Sequence, residues 1–509
     1  MRVWVDQKIR AAGRKLLIRG LPVLAAARRL PGVFRRRRAL AQFAEQLTQV
    51  PRGGGVLPVA AADDLSQQLR RWVRTQAGLT PEAHGQETID DLLLEIEFLR
   101  SQKQRLRPLF QRMVGKRVLY AGQAYYNAWY LSRALRPLGW RADVLNWNTE
   151  PTAQIYYHGE DVRFTGEEPY ELCRDLRFYV AALYAYDIFH FSNAHGLCFG
   201  FPLQSLMRQH FGMRAEIYLL KALGKIVVYT NNGCLDGVAQ TSFAKWGPES
   251  ACASCRWRDQ STVCSDARNL EWGAFRNQVA DYQCLLGGNR VDYNRAPTVH
   301  EVPEFYCLDP DIWHPDLTIP APHKLPAQPA GTVWLYHAVG NKVERTSDDG
   351  VNIKSSHIYL PLVEKLKREQ IPVAMLEPTG IPNLEVRFLQ AQADIFLDML
   401  TFGWFGANIR EAMMLGKPVI CYIRPEWLES VRLELPEYAD TLPIVSATPA
   451  TVEAVLRDLI ADPEKRRAIG RRSREFALKW HSAAAGGQRF DAIYTKLLIG
   501  DSLRLAHYA

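Results

Sequence analysis

Four cysteines stand at Cys234, Cys252, Cys255 and Cys264, a spacing of Cys-x17-Cys-x2-Cys-x8-Cys. A Cys-x2-Cys hook brings two thiolates onto one metal ion, and two more complete the tetrahedron that zinc prefers. Four protein ligands leave no open position, so a zinc held this way is structural. The residues around the hook (Asp236, Gly237, Gly247, Pro248, Glu249, Ser250) are too polar and irregular to build their own core. A metal staple explains how such a segment holds its shape. Unpaired thiols, disulfides and an iron–sulfur cluster are also compatible with the spacing. The other five cysteines (Cys173, Cys198, Cys284, Cys307, Cys421) sit alone in apolar segments and read as core residues.

The longest informative stretch is Gly403-Trp404-Phe405-Gly406-Ala407-Asn408-Ile409-Arg410-Glu411-Ala412-Met413-Met414-Leu415-Gly416-Lys417-Pro418-Val419-Ile420. It resembles the C-terminal donor-binding segment of retaining family-4 glycosyltransferases of the two-domain GT-B type. The physics suits the resemblance, because a glycine loop lets backbone amides approach a diphosphate and a helix start near Ala407 adds a positive dipole end. In the family two glutamates bracket this segment. Here the second is Glu411, placed to accept hydrogen bonds from a ribose diol, while Gly403 occupies the first position. Asp398, just past the run Ile395-Phe396-Leu397, is the candidate substitute.

The resemblance implies more contacts. Family members hold the donor pyrophosphate with a basic pair: Lys354 stands at the second position, and Lys342 or Arg345 supplies the first. These cations would neutralise charge growing on the departing diphosphate, so no catalytic metal is required. Gly122, opening Gly122-Gln123-Ala124-Tyr125-Tyr126-Asn127, resembles the family's first loop. Donor contacts are thus expected from Gly122, Lys342, Lys354, Gly403, Phe405, Gly406, Ala407, Asn408 and Glu411, and catalytic roles from Glu411, Asp398 and a histidine. Of His190 and His195, at or beyond a strand end, one reads as a satisfied strand residue. His195 is favoured for orienting the sugar or the acceptor hydroxyl. On this reading Glu411→Ala abolishes turnover and leaves the fold intact. A bacterial subgroup of these enzymes looks similar from Gly233-Cys234 through the cysteine-rich insert to Val302-Pro303-Glu304.

Open parallel sheets are what position such residues, and the hydrophobic pattern calls for two of them. Arg117–Ala121, 142–145, 188–191 and 226–229 are short buried-strand runs separated by glycine turns and helical stretches, the signature of βαβ units. After a proline-rich passage at 315–329 the rhythm restarts with strands at 333–336, 372–376, 394–397 and 418–423, and 451–497 is mostly helical. No Gly-x-Gly-x-x-Gly follows the first strand of either half, which argues against a NAD or FAD enzyme. The expected fold class is α/β: two tandem Rossmann-like domains (GT-B) after an N-terminal basic helical extension. The extension covers 1–115, the acceptor domain 116–325 with the cysteine-rich insert at 234–264, and the donor domain 326–509.

The 509 residues carry a formal net charge of +9, but residues 1–50 alone hold +10 and the remainder sums to −1. Apolar residues interleave with Lys and Arg in that segment at near-helical spacing, so it suits an anionic membrane surface. A solvated arm and a nucleic-acid contact are the other readings, the last disfavoured by the near-neutral body. No apolar run is long enough to span a bilayer. The expectation is a cytoplasmic protein, peripheral on the inner face of the membrane, moving a sugar from a nucleotide diphosphate sugar to a glycolipid or polysaccharide with retention. The alternative is an inactive glycosyltransferase-like scaffold, suggested by Gly403.

Overall fold

The computed structural model describes residues 43–45, 55–81, 85–122, 125–192, 197–231, 233–234, 236–244, 251–285 and 290–505. The basic segment before Phe43 lies outside them. Seven strands, β1 (Arg117–Ala121), β2 (Arg141–Asn146), β3 (Val162–Arg163), β4 (Ile188–Ser192), β5 (Ile226–Thr230), β6 (Tyr282–Leu285) and β7 (Val299–Glu301), form the first sheet. Its order is β3-β2-β1-β4-β5-β6-β7, and every pairing is parallel. The second sheet, in the order β11-β10-β8-β9, contains β8 (Val333–Tyr336), β9 (Val373–Leu376), β10 (Ile395–Leu397) and β11 (Val419–Ile420), again all parallel. The expected tandem of two α/β domains is therefore present. Parallel strands are covered on both faces, so β1, β4 and β6 are buried at every residue.

The helical extension is not a separate unit. Leu69, Leu99 and Phe110 of its helices share one core with Leu119, Phe189 and Val227 on one face of the first sheet. A buried ion pair fixes the join. Arg117, at the start of β1, donates to Asp187 at 2.7 and 3.1 Å and to Asp63 of the helix Val59–Ala77 at 3.1 Å.

Nor does the second domain keep all of its C-terminal helices. The helix Ala483–Leu498 crosses back to the first sheet. There Asp491 accepts from Lys116 and from the Trp140 indole, each at 2.7 Å. The Tyr494 hydroxyl meets His190 Nδ1 at 2.6 Å, and Thr230 meets Nε2 at 2.6 Å. His190 is thus fully satisfied inside β4, and burial lowers its pKa to about 3. Among the described residues no helix is long and apolar enough to cross a membrane.

One close backbone approach sets the angle of the helix Ala407–Met414. Gly416 ends it at a φ of +69°, and a Cβ built on Gly470 of the helix Pro463–His481 would lie 2.2 Å from the Gly416 carbonyl oxygen. Backbone on both sides leaves nothing free to move. Gly470→Ala should therefore lower unfolding stability by about 1–3 kcal/mol, the usual cost of overpacking, as read from the denaturant midpoint.

Candidate functional site

The two sheets turn their carboxyl edges toward each other across a cavity of about 370 Å³. Loops after β1, β2 and β5 bring Tyr125, Tyr156, Gly233 and Cys234 to one wall. Loops after β8, β9 and β10 bring Ala338 to Asn341, Pro378 to Ile381, and Met399, Phe402 and Trp404 to the other. Ligands in open parallel sheets bind at such edges. Arg256, Arg345 and Lys354 line the cavity, and among the described residues no carboxylate or imidazole does.

Lys354 precedes the helix Ser356–Arg368 and points across to the next helix start. A Cβ on Gly406 would stand 3.3 Å from its Nζ, and Gly406, Ala407 and Asn408 line the cavity beside it. A cation next to the free N–H groups of a helix start makes a site for phosphate oxygens. Asp398 is buried behind Lys354 and ion-paired with it at 2.5 Å. Asp398, expected in a catalytic role, holds the Lys354 ammonium from behind. Its side chain does not reach the cavity.

Other expectations change too. Glu411 is 0 % exposed, and its carboxylate accepts from three protein donors. The Tyr126 hydroxyl donates to Oε1 at 2.7 Å, Asn383 Nδ2 to Oε1 at 2.9 Å and Gln390 Nε2 to Oε2 at 2.6 Å. Burial raises its pKa, while these donors and Arg410 pull it back. Glu411 ties the two lobes in this geometry, and its buried side chain does not line the cavity. Asn383 relays the tie to the cavity wall. Its Oδ1 meets His158 Nε2 at 2.8 Å, and His158 Nδ1 meets the Tyr130 hydroxyl at 2.7 Å. Since Asn383 donates to Glu411, its oxygen must accept, so His158 carries its proton on Nε2 and accepts from Tyr130. Burial lowers the His158 pKa to about 4, which keeps it neutral.

Gly403 has a φ of +86°, and a Cβ there would fall 2.8 Å from the Arg424 Cβ. A glutamate at this position would be strained in backbone and blocked by Arg424, and Gly403 does not line the cavity. Phe405 is fully buried against Trp427 instead of facing a donor. Gly122, at φ +86°, turns against Trp147 and Ser192 within the first lobe. Lys342 pairs with Glu377 at 3.1 Å away from the cavity, and Arg345 takes the place expected of one or the other. His195 lies outside the described residues.

The cysteine module, which spacing did not connect to this site, forms part of its wall through Cys234, Ser254, Cys255, Arg256 and Trp257. Burial first, then the nearby Cys255, Cys252 and Cys264, push the Cys234 thiol up to about 12. Amides of Gln240 and Asn269 approach Cys264 Sγ at 3.6 and 3.8 Å. The four sulfurs thus gather in one region. Among the described residues, however, no three His, Cys, Asp or Glu side chains are arranged to hold an ion.

No protein-family model matches the chain, and no curated protein matches it in sequence. Several solved structures are similar to it at low identity. HepE from Anabaena, crystallised in complex with UDP and glucose, is 13% identical, with 75% of this chain and 100% of that one covered at a TM-score of 0.43. Sucrose-phosphate synthase from Thermosynechococcus elongatus is 14% identical, covering 75% and 98% at 0.44. The catalytic domain of starch synthase IV from Arabidopsis thaliana, bound to ADP and acarbose, is 11% identical, covering 75% and 99% at 0.44.

The buried carboxylate changes what its removal should do. Glu411→Ala would leave three buried donors unpaired, so unfolding stability should drop by about 3 kcal/mol. Glu411→Gln, which keeps an acceptor oxygen, should lose less. Urea unfolding of both variants measures the difference.

Proposed function

We propose that the chain is a glycosyltransferase whose interlobe cavity holds a nucleotide diphosphate sugar. The observation that carries this reading is the lining itself: among the described residues it has three basic side chains, a helix start and no carboxylate, where the carboxyl edges of two parallel sheets meet. Lys354, Arg345 and the amides at Gly406 to Asn408 are our donor-phosphate contacts, and they stabilise the charge that the diphosphate acquires as it leaves. In the transfer step the bond from the sugar C1 to the phosphate oxygen breaks and the acceptor oxygen bonds to C1. The acceptor proton passes to the departing phosphate oxygen, because no described cavity-lining side chain is a carboxylate or imidazole. Retention at C1, and a glycolipid or polysaccharide acceptor, follow from the family resemblance and from the basic segment before residue 50.

The donor contacts are tested by titrating wild type, Lys354→Ala, Arg345→Ala and Lys342→Ala with a panel of nucleotide sugars in a calorimeter, followed by a product assay. Lys354→Ala and Arg345→Ala should each weaken donor binding by at least tenfold, about 1.4 kcal/mol, and Lys342→Ala should not. Equal loss in all three would remove the cavity as the donor site. Binding without any product would favour the inactive-scaffold reading.

We also propose a structural zinc on Cys234, Cys252, Cys255 and Cys264, supported by their spacing and their gathering in one region. Purified protein should contain one zinc per chain by elemental analysis. Chelation or Cys255→Ser should lower the melting temperature by several degrees, since metal bound only to the native state stabilises it by mass action. Metal-free protein with an unchanged melting curve would reject the site.

A further inference from the structure

The cysteine module reaches across the cavity to the opposite lobe. Arg256 Nη1 donates to the carbonyl oxygens of Val343 at 2.7 Å and Thr346 at 3.3 Å, which flank Arg345 in the chain. The guanidinium also lies 5.5 Å from the centre of the Trp257 ring, a cation–π contact that holds its direction. Two guanidiniums, one from each lobe, thus stand at the cavity wall.

Among the described residues no carboxylate pairs with either of them. Lys354 is neutralised by Asp398 at 2.5 Å, whereas neither Arg256 nor Arg345 has a carboxylate within ion-pair distance among the described residues. Like charges gathered in a partly closed cavity repel each other unless an anion enters. The two uncompensated cations match the two negative charges of a diphosphate diester. We infer that Arg256, supplied by the cysteine module and directed by Trp257, is a binding residue for the donor diphosphate and clamps it against Arg345 from the opposite lobe. This rests on the donor reading above and extends it, giving the module a part in substrate binding.

The test compares full-length wild type, Arg256→Ala and Arg258→Ala by calorimetry with UDP, ADP, GDP and CDP and with the matching monophosphates. Arg258 belongs to the same module but is exposed, pairs with Asp259 and does not line the cavity. The expected result is at least tenfold weaker diphosphate binding in Arg256→Ala, with the ratio of diphosphate to monophosphate affinity falling toward one and Arg258→Ala unchanged. Trp257→Phe, which keeps a ring, should retain most of the affinity that Trp257→Ala loses. An unchanged affinity ratio in Arg256→Ala overturns the clamp while the donor site stands. Equal losses in both arginine variants reduce the module to a structural role and overturn it too. If wild type binds none of the nucleotides, the donor reading fails and the clamp fails with it.

Discussion

Glu411 has a carboxylate at zero exposure, one residue from an equally buried Arg410, at the place where the two lobes meet. Such a charge is tolerated in an apolar interior only when its lone pairs are filled and its field is balanced. Tyr126 comes from the first lobe, while Asn383 and Gln390 come from the second, so the requirement can be met only when both lobes are in register. Asn383 adds a backbone bond to Ile155 of the first lobe at 2.8 Å. Arg410 is itself packed on Tyr306 at 3.8 Å, in the segment linking the lobes, with the Trp404 and Phe405 rings close by. The cavity wall inherits its position from this knot, because Asn383 and Trp404 both face the cavity.

The sheets could be read from the sequence where strands are doubly buried. Runs such as Val118-Leu119-Tyr120 and Val333-Trp334-Leu335-Tyr336 have no polar face, and a glycine follows or precedes them, so periodicity and punctuation agree. The strands that escaped notice are β3, two residues long, and β6 and β7, where Tyr282-Gln283-Cys284-Leu285 and Val299-His300-Glu301 mix polar residues into a buried position. Tertiary neighbours compensate part of this polarity: Gln283 Nε2 donates to Asn277 and Thr298, and His300 stacks on Tyr282 at 4.3 Å. Such compensation depends on tertiary neighbours, and no local pattern announces it. The 418–423 run shrank to Val419–Ile420 for the opposite reason, since apolar residues continue past the sheet into other packing.

Site residues divide along a similar line. Lys354 was placed by the family resemblance and Gly406 to Asn408 by a glycine loop before a helix start, and all of them line the cavity. Glu411 looked like a ligand residue because its type and its place on a helix suit that role. Its burial depends on a first-lobe tyrosine 285 positions away in sequence. Lys342 and Arg345 sit on one short helical turn, Lys342–Arg345, so only the fold decides which faces inward. Arg256, His158 and Asn383 carried no signal at all. Each acquires its role from a partner on the other lobe.

The distribution of charge follows from these placements. Lys354 with its Asp398 partner is a neutral pair at the cavity floor, so it offers directed N–H donors without adding net positive potential. Cys421 packs beside it, with its thiol raised further by burial, and contributes no charge either. Among the described lining residues net positive charge therefore comes from Arg345 and Arg256, which stand on loops that belong to different lobes. The two rims already meet there, because Arg256 donates to the Val343 and Thr346 carbonyls on either side of Arg345. The charge of the cavity wall is thus set where the lobes meet, beside the Glu411 knot that fixes Asn383 in the same wall.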